Sequence, residues 1–198
     1  MLYLNQLDHR HVPFYHNASG GGVPEDRRNV ATSGCGLCSM CMTVDRLTCR
    51  ELELTDCVKL AEESGANWFF GVDMSILGPV VAEQYGLQYS GTKDPEVVRA
   101  CLQKGGCVIA NVTGDREGHT GLFSKVRHYI VVLSIDGDEV CILDPSYKEG
   151  KYEEEGRAGK ARVDAPFVYC SLQDLQEDCI CANPMLEKYP YYHLFTRK

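Results

Sequence analysis

The hydrophobic rhythm of the chain changes once, near residue 106. Before that point apolar residues recur every three or four positions, and after it they alternate or run together. The clearest helical face is Leu37, Met40, Cys41, Val44 and Leu47. It follows Ser33-Gly34 and predicts a helix with Ser33 as N-cap and Cys35 in the first turn. A second helix is expected from Thr55 to Ser64, stopped by Gly65, and a third from Met74 to Tyr85, stopped by Gly86. Asp94 caps a fourth, Pro95 opens it and Gly105-Gly106 closes it. Cys107–Val112 is short, apolar and partly β-branched, which predicts a buried strand. Tyr129–Ile135 is the strongest strand signal, and Asp136-Gly137-Asp138 turns it back into Glu139–Leu143, ended by Asp144-Pro145. Residues 146–165 are charged and rich in glycine and lysine, so an exposed loop or weakly paired excursion is expected there. Ser171–Leu175 reads as a short capped helix and Tyr191–Thr196 as a last strand. Helices first and antiparallel strands second make an α+β layout, and no linker splits residues 1–198 into two domains.

Composition narrows the possible functions. The chain has 28 acidic against 20 basic residues and a formal charge of −8, which disfavours nucleic acid and anionic membrane surfaces as partners. No run approaches the ~20 apolar residues of a membrane span, and Met1 to Asp8 lacks the basic start of a signal peptide. Eleven cysteines in 198 residues is a high and odd count, set mostly in apolar or helical patterns. Reduced, buried thiols in a cytoplasmic protein fit it better than a disulfide framework.

One of these thiols stands apart. Cys35 sits between Gly34 and Gly36 at an expected helix start, where backbone N–H groups and the helix dipole favour a thiolate. The two glycines would leave room for a carbonyl to approach. His128 opens the strongest strand and Asp144 follows its hairpin partner, so the register should bring the two together at one end of the sheet. A carboxylate there can fix the tautomer of a histidine that serves as base to a thiol.

With these residues in order, the sequence resembles the C39-like group of papain-like cysteine peptidases. Gly34-Cys35-Gly36, four helical segments, His128-Tyr129-Ile130-Val131-Val132 and Leu143-Asp144-Pro145 carry the likeness. The opening Asn5-Gln6-Leu7-Asp8 matches the family's Asn-Gln-x-Asp start. The resemblance spans residues 1 to about 147 together with the last strand. It implies a papain-like fold, with a helical layer packed on an antiparallel sheet and the site between them. It further implies Cys35 as nucleophile, His128 as general base and acid, Asp144 as orienter and Gln6 as oxyanion donor. The partner would be a peptide or protein substrate, with no cofactor and no metal. Two departures stand out: Leu37-Cys38-Ser39 replaces the family's usual Pro-Thr-Ser, and the stretch from Gln6 to Cys35 is longer, carrying Gly20-Gly21-Gly22. Asn17 is an alternative oxyanion donor.

Several rival readings are weaker. Cys35-x2-Cys38-x2-Cys41 lacks the nearby fourth cysteine of a cluster motif, and Cys179-x-Cys181 is poorly spaced for zinc. Buried helix thiols explain the spacing. His119 lies in a glycine-bearing loop and lacks an evident paired acid. The same thioester could pass to an amine, making the protein an acyltransferase or cyclase, or the fold could bind a peptide without cutting it. Residues 15–30 and 114–127 are expected to border the cleft as movable segments, and the acidic total charge favours a neutral or basic substrate.

Overall fold

The computed structural model describes residues 1–15, 24–67, 71–181, 183 and 187–198. His16, Asn17 and Gly20-Gly21-Gly22 lie outside the described residues, so the Asn17 alternative and half of the 15–30 segment do too. Six helices are described. They are α1 (Val30–Ser33), α2 (Cys35–Thr48), α3 (Leu54–Glu63), α4 (Met74–Tyr85), α5 (Pro95–Gln103) and α6 (Leu172–Cys179). Seven strands form one sheet: β1 (Leu87–Thr92), β2 (Cys107–Val112), β3 (His128–Asp136), β4 (Glu139–Leu143), β5 (Arg162–Asp164), β6 (Phe167–Ser171) and β7 (Tyr192–Arg197). Their order is β1-β7-β2-β3-β4-β6-β5, antiparallel at each junction.

The sheet carries apolar side chains on both faces, and side-chain alternation assigns them. Cys107 and Ile109 of β2, with Tyr129, Val131 and Leu133 of β3, pack with α2, α3 and α4. Val108, Ala110 and Val112, with Ile130 and Val132, pack on the opposite side with α5 and α6. Every residue of β2 is therefore buried, which is why its sequence runs apolar without a break. The helical layer expected on one face is thus α1–α4, while α5 crosses to the other.

α2 lies between the sheet and its neighbouring helices. Its expected stripe, Leu37 through Leu47, is buried, but so are Gly36, Cys38, Ser39, Met42 and Thr43. The buried surface is wider than one stripe because α2 is covered on every side from Gly36 to Val44. Apart from the half-buried Cys35, only its last turn, with Asp45, Arg46 and Thr48, reaches solvent. The start also differs from expectation. Ser33 ends α1, whose cap is Asn29, with its side chain accepting from Thr32 N–H at 3.2 Å. Gly34 begins α2 with no side-chain cap, and Cys35 is its first residue. Nor do the flanking glycines leave open space. A Cβ at Gly34 would stand 2.4 Å from Val30 Cγ1, and one at Gly36 would stand 3.1 Å from Tyr129 Cδ2. They are small because α1 and β3 approach closely there.

The excursion after β4 is another correction. Its edge strand β5 is exposed, as charged residues at a sheet edge should be. Lys151, Tyr152 and Arg157, however, are buried to 5 %, 4 % and 3 % exposure. The loop folds back over the sheet end, beneath which Tyr152 packs edge-on against Phe123 with ring centroids 6.0 Å apart.

Candidate active site

Cys35 comes to the site on the first turn of α2 and His128 on the first residue of β3. Asp144 follows the last residue of β4. The thiol is half-buried, His128 is 6 % exposed and Asp144 is fully buried. His128 Nε2 lies 2.8 Å from Asp144 Oδ1, as the hairpin register required. Cys35 lines the same cavity as His128, close enough for the two groups to shift each other's titration.

The electrostatics follow from this order. Burial pushes the Cys35 thiol up, but the His128 hydrogen bond and charge, with backbone hydrogen bonds of Tyr129 and Gly36, bring it below its ordinary value. Burial alone would push His128 down, yet the bonds to Asp144 and Cys35 raise it to about 9. Burial would also raise Asp144, and His128 and Lys151 hold its carboxyl far below the usual carboxylate range. The arrangement favours a thiolate–imidazolium pair beside a permanent carboxylate.

Gln6 is buried and ties the chain start to both sides of the site. Its backbone N–H donates to Pro145 O at 2.7 Å, directly after Asp144. Its Nε2 donates to Ala31 O at 2.9 Å, in the helix leading to Cys35. An amide nitrogen carries two hydrogens, so one remains for a further acceptor. Nearby contacts reinforce the clip: Tyr3 OH donates to Asp144 O at 2.9 Å and Asn5 Nδ2 to Tyr147 O at 2.7 Å.

A narrow cavity of about 30 Å³ opens beside the thiol, walled by Cys35, His128, Arg127, Asn111, Tyr129 and Val72. It adjoins a second small cavity reaching Asp73 and His193. Arg127 Nε donates to Asn111 Oδ1 at 3.1 Å. Among the described residues its guanidinium makes no ion pair. Behind it, burial and then Arg127 itself push His193 down to about 3, so that ring is neutral and shares a 2.9 Å hydrogen bond with Tyr89 OH.

Two further expectations are corrected. His119 does have a paired acid: its Nε2 lies 2.8 Å from Asp178 Oδ1, on α6. That carboxylate also accepts from the backbone N–H groups of Leu122 at 2.8 Å and Phe123 at 3.2 Å. The 114–127 segment does reach the thiol's cavity through Arg127, but it is pinned and carries the buried Leu122 and Phe123. The cysteines Cys38, Cys41, Cys57, Cys101, Cys107, Cys170 and Cys179 are buried. Burial pushes the Cys38 thiol well above its ordinary value and that of Cys107 up to about 12. For Cys41 the hydrogen bond with Cys57 comes first, and burial adds to it. These thiols are poor nucleophiles. Sequence reading missed Ser146, Lys151 and Tyr152, which surround Asp144.

The fold is α+β and papain-like, of the kind seen in C39-like peptidases. A Bacillus anthracis protein described as a C39-like peptidase superposes with a TM-score of 0.54 at 15 % identity, covering 96 % of each chain. The peptidase domain of Streptococcus ComA, described as a bi-functional ABC transporter involved in quorum sensing, gives a TM-score of 0.49 at 12 % identity. That alignment covers 83 % of this chain and 91 % of the other. No family model matches the sequence, and no curated protein sequence matches it. Among the described residues no helix is long and apolar enough to cross a membrane.

Proposed function

We propose that this chain acts as a single-domain cysteine peptidase of the C39-like kind, cutting a peptide or amide bond with Cys35, His128, Asp144 and Gln6. The observation that carries the reading is the line from half-buried thiol to raised imidazole to buried carboxylate. The Cys35 thiolate adds to the carbonyl carbon, forming the C–S bond. The amine leaves with the proton that His128 holds. Water then gives a proton to His128 as it adds to the thioester, releasing the acid and restoring the thiolate beside the imidazolium. Asp144 keeps the ring in the required tautomer. Gln6, with the second Nε2 hydrogen, and the Cys35 backbone N–H stabilise the oxyanion.

The test is a mixed peptide pool followed by mass spectrometry with wild type and Cys35→Ala. Cysteine-dependent products carrying the mass of one water support hydrolysis, and products carrying an added amine make the protein a transferase. Equal product with Cys35→Ala sinks the reading.

A further inference from the structure

Asp144 is surrounded more completely than orienting one imidazole requires. Oδ1 faces His128 Nε2 at 2.8 Å, Ser146 N–H at 2.8 Å and Ser146 Oγ at 3.0 Å. Oδ2 accepts from Tyr152 OH at 2.7 Å and from Lys151 Nζ. Lys151 also donates to Ser146 Oγ at 2.8 Å and Ser146 O at 3.4 Å. Three acceptors for one nitrogen match the three hydrogens of an ammonium. Burial pulls that ammonium below its ordinary value while Asp144 pulls the other way.

The loop itself is braced to bring this charge inward. Arg157 Nε donates to Gly121 O at 2.9 Å, and its Nη1 donates to Lys151 O at 3.5 Å and Glu154 Oε2 at 3.2 Å. The other groups facing the cluster are Tyr152, whose phenol burial and Asp144 push well up, Tyr3 on the Asp144 carbonyl, and Lys148. A buried ion pair is a poor source of stability, since desolvation offsets most of its attraction. Its place against the candidate orienting acid therefore points to function.

We propose that Lys151 is a positioning residue: its ammonium clamps Asp144 against His128 and adds the positive charge that favours the Cys35 thiolate. This rests on the peptidase reading above. With Oδ2 held by Lys151 and Tyr152, the carboxylate cannot rotate away from His128. The same charge, in a water-poor pocket, lowers the energy of the anion at Cys35 through the chain of contacts Lys151–Asp144–His128–Cys35.

The experiment measures iodoacetamide alkylation of Cys35 against pH, resolved by peptide mapping, for wild type, Lys151→Met and Lys151→Arg, beside melting curves. Losing a nearby positive charge makes proton loss harder. The acid limb of Lys151→Met should therefore move to higher pH by about 0.5–1 unit, slowing alkylation below it by about 3- to 10-fold. Lys151→Arg should return the limb to within about 0.3 unit. If Lys151→Met does not fold, Lys151→Gln, which keeps a donor and loses the charge, carries the same expectation. A lower melting temperature with an unmoved limb overturns the proposal and leaves the peptidase reading intact. A wild-type limb in the ordinary thiol range overturns both.

Discussion

Two histidine–aspartate pairs among the described residues share one geometry and differ in surroundings. His128 with Asp144 and His119 with Asp178 both place Nε2 2.8 Å from Oδ1, and both carboxylates are fully buried. The first histidine continues to a thiol, and its acid takes a lysine and a tyrosine on the far oxygen. The second histidine is bonded to no thiol among the described residues, and its acid takes two backbone N–H groups of the 114–127 segment. The Asp178 carbonyl also accepts from Thr113 N–H at 2.9 Å. One pair stands beside a thiol and the other fastens a loop to a helix. A histidine–aspartate pair is thus not by itself a site: the third partner decides.

Exchanging the same damage between the pairs gives the largest contrast. Asp144→Asn should lower turnover of the folded fraction by about 1,000-fold or more, and it should also cost stability because the buried Lys151 ammonium loses its counter-ion. Asp178→Asn should cost about 2–4 kcal/mol by loosening the loop anchor while leaving turnover of the folded fraction near wild type. Turnover assays beside thermal melts distinguish them, and equal activity losses would erase the comparison.

Gln6→Ala comes next, with turnover down about 100- to 1,000-fold and Cys35 alkylation unchanged, because an oxyanion donor is not needed for reaction with iodoacetamide. A parallel fall in alkylation would make Gln6 a scaffold residue.

The raised histidine sets the pH behaviour. Turnover should fall as pH rises through about 9, where His128 loses the proton it gives to the leaving amine. Alkylation should not fall there, since the thiolate persists. The sign for stability is the same: a histidine raised on folding contributes fully below its unfolded value near 6.5, and the contribution is lost through about 9. The smallest expected effect concerns Arg127. Its charge in the thiol's cavity should draw anionic iodoacetate, so Arg127→Gln should lower the rate ratio of iodoacetate to iodoacetamide by about 3- to 5-fold. The local positive charge would then outweigh the chain's net acidity at this site.

Much of the first pair was legible in the sequence. Gly34-Cys35-Gly36 marks a helix start, and a hairpin with a tight turn brings residues 128 and 144 to the same end of the sheet, within reach of each other's side chains. The α4 bounds follow from Asp73, whose side chain accepts from Ser75 N–H, and from Gly86 in a left-handed turn. The second pair was not legible because Asp178 lies 59 residues beyond His119, on a helix whose own pattern says nothing about a loop partner. Lys151 and Tyr152 escaped for a related reason. Lysine is ordinarily a surface residue, and a loop that folds back leaves no periodic stripe to reveal its buried side. The strands β1, β5 and β6 were missed too. β1 pairs with β7, across most of the chain, and β5 and β6 are short and partly exposed.

The place of β7 bears on how the molecule is made. The latest of the described strands in sequence, β7, lies inside the sheet between β1 and β2, with Tyr192 and Phe195 fully buried. Until it arrives, β1 has no neighbour in the sheet and β2 shows an open apolar edge. Such non-local pairing closes late. Folding is therefore completed by a keystone insertion, and a chain cut short before Tyr192 should stay open and susceptible to protease.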